Sequence, residues 1–175
     1  RLRPGQYVSA IDLLYPLLEE SSNEAAEALA QTIGRDRFIQ LMNDKAAALG
    51  MTQTRFSDPS GSSADNASSA EDLFNLLKYI ENNRSFILSL TTGRVEETDY
   101  GQPRYRDLEN FNAFSDRSDF LGGKVGKSSA AEQTMASVFL VGNARPVAVI
   151  VLGSSDSAAD VSALVENANT AYEIK

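Results

Sequence analysis

The chain has no histidine, no cysteine and no tryptophan among its 175 residues. The first absence removes Ser-His-Asp and Cys-His catalysis and the commonest zinc constellations. The second removes disulfides, thiol chemistry and thiolate metal sites, and it suits an oxidising or a reducing compartment equally. Any hydrolytic chemistry therefore needs Lys, Tyr, Asp or Glu as its base. Positive charge is also short: 16 Lys and Arg face 24 Asp and Glu, for a formal charge of −8. Phosphate recognition needs a basic face, and the arginines do not cluster into one, so nucleic acid is not an expected partner. No apolar run approaches the roughly 18 residues of a membrane span, and the start carries no basic segment followed by an apolar one. The first residue is Arg1 rather than Met, so the sequence is expected to be a product of processing or trimming that something once preceded.

What is present suffices for one domain, since chains of this size with 42% apolar residues bury roughly two thirds of their unfolded surface. Ser9-Ala10-Ile11-Asp12 reads as a capping box, followed by Ile11, Leu14, Tyr15, Leu17 and Leu18 at helical spacing to about Glu19. Glu20-Ser21-Ser22-Asn23 interrupts the pattern, and Ala25 to Ile33 resumes it up to Gly34. Asp36 is expected to cap a third helix carrying Phe38, Leu41, Met42 and Leu49 on one side. Phe56 to Ser69 reads as loop, with Asp58-Pro59-Ser60-Gly61 as turn chemistry. Ser68 or Ser69 then caps a helix through Ile80, and a shorter helix spans Ser85 to Leu90. From about Gly93 the period changes, and Arg94-Val95-Glu96 with Tyr105 suits a short hairpin. Strands are expected over Phe120 to Ser129, Gln133 to Val141 and Pro146 to Leu152, the last two joined at Gly142-Asn143, before a helix that Asp156 opens. The order indicates an α+β architecture: a helical lobe over about residues 1–92, then an antiparallel sheet and terminal helix over about 93–175.

Two short runs carry the chemistry, Ser21-Ser22-Asn23 and Gly123-Lys124-Val125-Gly126. Taken alone, the first is also what an ordinary inter-helix turn looks like, since Ser and Asn are common caps. Gly126-Lys127-Ser128 matches the end of a phosphate loop, but the leading glycine would have to be residue 121, which is Leu, and a strand follows where a helix should. Glu96-Glu97 with Asp99 reads as a solvated acidic turn. Asp58, Asp65 and Asp72 lack calcium-loop spacing.

The two runs resemble the Ser-x-Asn and Lys-Thr-Gly motifs of the serine-type D-Ala-D-Ala carboxypeptidases, low-molecular-mass penicillin-binding proteins related to the β-lactamases. Met42-Asn43, Lys45-Ala46, Leu49-Gly50-Met51, Thr54, Phe56, Asp58-Pro59, Gly61, Asn66 and Ser68-Ser69-Ala70 with Asp72-Leu73 fall in the order of that family's helical lobe. The likeness runs from about Pro4 to Tyr172. The family's first motif, Ser-x-x-Lys, is absent: three positions before the five lysines stand Met42, Asn75, Leu121, Lys124 and Tyr172. The resemblance implies a β-lactamase-like fold lacking its N-terminal strands and nucleophile helix. It implies a peptidoglycan-trimming, penicillin-sensitive enzyme outside the cytoplasm, needing no cofactor and no metal, in which this chain alone is inactive for want of the nucleophile. Its partners would be a stem peptide ending in D-Ala-D-Ala and, in the intact protein, β-lactams. Ser21 would relay a proton to the leaving group, Asn23 hold the substrate amide, Lys124 position Ser21 and attract the carboxylate, and the Lys127 N–H stabilise the oxyanion. Gly126 would admit substrate backbone. Val125 departs from the family's hydroxyl residue, leaving carboxylate binding to Ser128 or to arginines, unless Val125 simply serves packing. A non-catalytic binding or scaffolding domain on the same fold is the alternative. Lacking the first strands, the chain is expected to be an oligomer or to retain an N-terminal fragment, because Val147 to Leu152 would form an open apolar edge.

Overall fold

The structure is a computed structural model describing every residue except Arg1, Pro4, Glu96, Asp99, Tyr100, Asn143, Ile174 and Lys175, with the Glu173 side chain also set aside. Helix α1 (Ala10–Leu18) starts where Ser9 accepts the Asp12 N–H and donates its hydroxyl to the Asp12 carboxylate, the expected box. Helix α2 (Asn23–Gln31) starts at Ser22, whose oxygen accepts the Ala25 N–H. Helix α3 (Arg35–Ala48) differs from expectation at its start: its cap is Gly34, with no side-chain hydrogen bond, and Asp36 lies inside the first turn. The chain leaves the preceding helix with Gly34 at φ +88°, a conformation that glycine adopts without penalty. Of this helix only Ala46 is deeply buried, and Leu41 faces solvent.

Helix α4 (Ala70–Thr91) is capped by Ser69 and kinks at Arg84, where φ −148° and ψ 37° leave the helical region. The break expected between Ile80 and Ser85 is therefore real. Of the hairpin expected after Gly93, the described residues form a single bridge, Thr98 with Gly101, and Glu96 lies outside them. Strands β1 (Phe120–Ser128), β2 (Glu132–Val141) and β3 (Arg145–Ser154) form one antiparallel sheet in that order, and helix α5 (Ser157–Glu173) closes the chain.

Strand alternation builds two cores. Met135, Phe139, Val141, Val149 and Val151 turn to one face and join Val161 and Val165 of α5 with Phe114 and Phe120. Val138 turns to the other face and meets Leu77 and Leu88 of α4, with Ala136, Ala148 and Ile150 beside it. Leu164 and Tyr172, periodic with the buried valines of α5, stay exposed.

Two adjacent glycines let β1 lie close to its neighbours, Gly122 against α4 and Gly123 against β2. A Cβ at Gly122 would lie 2.3 Å from the Leu88 carbonyl oxygen, and one at Gly123 would lie 2.7 Å from the Ala136 oxygen. With backbones this close, the buried Thr91 hydroxyl accepts the Gly123 N–H at 2.8 Å and donates to the Leu88 oxygen at 2.6 Å. Gly122→Ala adds a clash with fixed backbone to an unfavourable φ of +146°, and it should destabilise the fold by about 3 kcal/mol. The urea unfolding midpoint reads this out, and an unchanged midpoint would show that α4 and β1 can separate at little cost.

Candidate active site

The interruption between α1 and α2 settles which of two adjacent serines is available for chemistry. The Ser22 N–H donates to the Pro16 oxygen, and the Ser22 hydroxyl caps α2, so Ser22 is occupied by the backbone. Ser21 is held at φ +57°, a left-handed conformation that costs an L-residue roughly 1–2 kcal/mol. That twist carries its side chain into a cleft of ≈ 730 Å³ between the helices and the sheet.

Lys124 enters the same cleft from β1. Its Nζ donates to Ser21 Oγ at 2.6 Å across 103 residues of sequence, and to the Val125 oxygen at 2.6 Å. Both bonds suit a proton-carrying amine, yet burial removes water from the charge and pushes the amine's pKa down to about 8. The Lys124 amine beside Ser21 thus gives up its proton closer to neutral pH than an exposed lysine does.

The remaining expected residues gather around this pair. Asn23, first residue of α2, is exposed on the cleft wall. Gly126 leaves space over the strand, where a Cβ would meet the Thr134 hydroxyl at 2.7 Å. Lys127 is exposed at the cleft, and Ser128 lines it while accepting the Ala131 N–H at 3.0 Å. Val125 also lines the cleft but packs against the core cluster under α5. Among the described residues the cations lining the cleft are Lys124 and Lys127. None of the described arginines lines the cleft beside Val125.

The sequence did not point to the opposite wall. Ser60, Gly61 and Ser62 line the cleft because Asp58 gathers the turn around itself, accepting N–H bonds from Ser60, Gly61, Ser62 and Ser63. Asn66 adds a side-chain bond at 2.8 Å. These donors outweigh burial and hold the Asp58 carboxyl well below the usual carboxylate range. Phe111 and Phe114 complete the wall from the segment before β1. That segment is tied to the helix break, since the Phe111 N–H donates to the Glu19 oxygen and the Glu109 N–H to the Glu20 carboxylate. Of the acidic turn near Glu97, Glu96 and Asp99 lie outside the described residues.

The profile of the D-alanyl-D-alanine carboxypeptidase family matches residues 1–156. A D-alanyl-D-alanine endopeptidase of Escherichia coli is 34% identical over 157 residues, 87% of this chain and 50% of that protein. The chain spans about half the length of several curated relatives that it matches over most of its own length. Among solved structures, the D-alanyl-D-alanine carboxypeptidase of Mycobacterium tuberculosis superimposes with a TM-score of 0.81 at 26% identity, covering 98% of this chain and 67% of that one. Penicillin-binding protein D2 of Listeria monocytogenes, in its cefotaxime-bound form, gives a TM-score of 0.75 at 26% identity, covering 100% and 74%.

The lowered Lys124 pKa has a measurable sign. Its folded value lies below its unfolded one, so the unfolded chain binds more protons between about pH 8 and 10.5. Stability contributed through Lys124 should therefore rise with pH across that window, and Lys124→Met should flatten the rise. A Lys124 side-chain resonance titrating near 10.5 instead of near 8 would contradict the burial of its charge.

Proposed function

The chain belongs to the D-alanyl-D-alanine carboxypeptidase family, and from that premise we propose that its cleft forms the leaving-group and carboxylate side of a peptidoglycan peptidase active site. One observation carries the reading: the 2.6 Å bond from Lys124 to Ser21 joins the two motifs of the family across the lobes. The substrate is a stem peptide ending in D-Ala-D-Ala, acting outside the cytoplasm, and β-lactams compete for the same site. The serine of a Ser-x-x-Lys segment, which this sequence does not contain, attacks the penultimate D-Ala carbonyl while the lysine of that segment takes its proton.

The chain's own residues serve that attack. With its amine near pKa 8, Lys124 lets the Ser21 hydroxyl pass a proton to the departing nitrogen while keeping positive charge near the substrate carboxylate. Asn23 donates to the substrate amide carbonyl. Gly126 admits the substrate backbone along β1, and the Lys127 N–H contributes to the oxyanion site. Val125 supplies shape without a donor, so the carboxylate falls to Lys127, to Ser128 and to the Thr134 hydroxyl opposite Gly126.

A second reading is cleavage of a D-alanyl bond inside a cross-link. The endopeptidase name of the Escherichia coli relative favours it, as does the missing hydroxyl at residue 125. Products separate the two: free D-alanine marks a carboxypeptidase, and two released stem peptides mark an endopeptidase.

Incubated alone with a fluorescent penicillin, the 175-residue chain should form no covalent adduct, because Ser21 lacks a lysine one helical turn away. A labelled band near 18.9 kDa after denaturing electrophoresis would overturn this. In a protein joining this chain to a Ser-x-x-Lys segment, Ser21→Ala should lower acylation about 10²- to 10⁴-fold. Wild-type rates in that variant would remove Ser21 from the proton path, and no turnover by the unaltered protein would favour a binding domain.

A further inference from the structure

A second cavity, of ≈ 430 Å³, opens between the end of α1 and the segment around residues 93–108, and it shares no lining residue with the cleft. Val95, Pro103 and Leu108 give it apolar walls. Three polar groups line it without the partners that buried groups normally have. Glu19 is only 7% exposed, and among the described residues its carboxyl forms no ion pair and accepts no hydrogen bond. The hydroxyls of Tyr15, 3% exposed, and of Tyr105 are buried and make no hydrogen bond among the described residues. Thr98 stands close enough to ease ionisation of the Tyr15 phenol, but outside bonding geometry. Arg106 is the one cation on the wall among the described residues, and it is engaged by the Gln102 side chain and the Pro103 carbonyl.

A carboxylate and two phenol oxygens are acceptors in want of a multiple donor that carries positive charge. A primary ammonium has three N–H groups, and its methylene chain suits walls of Val, Pro and Leu. We propose that this cavity binds a primary alkylammonium group, with Glu19 as counter-ion and the Tyr15 and Tyr105 oxygens as further acceptors. The site is independent of the reading of the cleft. Burial, with the neighbouring Glu20 charge adding to it, raises the Glu19 pKa to about 7. The charged and titratable groups around Glu19 are Glu20 on its own turn, Tyr15 one turn back, and Tyr105, Arg106 and Asp107 across the cavity. A bound cation favours the ionised carboxylate, so binding expels a proton when it occurs below about pH 7.

An ammonium could come from a free diamine or from a diamino acid side chain within a peptide. Titration calorimetry with the 175-residue chain distinguishes them, using 1,5-diaminopentane in one arm and Nα-acetyl-lysine amide in the other, with 1,5-pentanediol as the uncharged control. At pH 8 at least one amine should bind and the diol should not. Glu19→Gln should weaken the amine by about tenfold or more, and Tyr15→Phe should weaken it by a smaller factor. Affinity should fall, with growing proton release, from pH 8 to pH 6. Tighter binding of the diamine identifies a free ligand, and tighter binding of the lysine amide identifies a peptide-borne one. Glu19→Gln removes a buried charge and should stay folded by circular dichroism; if it does not, the Tyr15→Phe and Tyr105→Phe pair carries the comparison. Neither amine binding at about 10 mM, equal affinity in the variants, or equal affinity for the diol would overturn the proposal.

Discussion

The hydrogen bond from Lys124 to Ser21 is the constraint around which the rest of the structure is arranged. It needs a serine turned away from its helix and a lysine drawn into a partly dry cleft. Each condition is unfavourable alone. Ser21 takes a left-handed backbone, and Lys124 gives up enough hydration to lower its pKa. The surrounding structure holds both in place. Ser22 fixes the twist by capping α2 and binding the Pro16 carbonyl, so the strain at Ser21 is stabilised by its neighbour.

Positioning the lysine is a problem of distance between backbones. Gly122 lets β1 approach α4 until the Thr91 hydroxyl bonds the strand directly at the Gly123 N–H. The segment before β1 then clasps three elements. The Asn110 amide donates to the Thr91 oxygen, the Asn112 amide reaches the Gly123 oxygen at 3.4 Å, and the Phe111 N–H holds the end of α1. Helix break, long helix and lysine strand thus share one short stretch of chain. That stretch also supplies aromatic wall to the cleft, so the groups that locate the lysine also shape what it can meet.

Two ionisable groups at the helix break, Glu19 beside it and Lys124 bonded to Ser21, oppose each other as pH changes. The raised pKa of Glu19 means that its stabilising effect is complete below about pH 4.5 and is lost as pH rises through about 7. The lowered pKa of Lys124 means that its burden is lifted only as pH rises above about 8. Between those limits both charges are carried at once. A fold selected for stability alone would bury neither, which is why such groups point to sites.

Much of this was legible in the residues. The density of Val, Ile and Phe located β2 and β3 to within two residues at each end, because such side chains suit a packed, pleated surface whatever lies above it. Ser9 and Ser69 marked helix starts, since a cap is a local hydrogen bond. Ser21, Asn23, Lys124 and Gly126 were named from the resemblance of two short runs to a family's motifs, and the fold brings them to one cleft. The rest depended on approach between distant segments. Asp36 has the chemistry of a cap, but the turn at Gly34 begins the helix earlier. Leu41 and Leu164 fit their helices' apolar period, yet no partner layer covers them. Glu19 reads as the polar end of a helix and is buried because the segment after α4 folds over it. Ser60 and Ser62 read as turn residues, and only the tertiary structure sets that turn against the cleft. Sequence determines what is written in neighbouring residues, namely period, cap and motif. Burial, proton affinity and the meeting of two motifs 103 residues apart are properties of the space between segments, which only the folded chain defines.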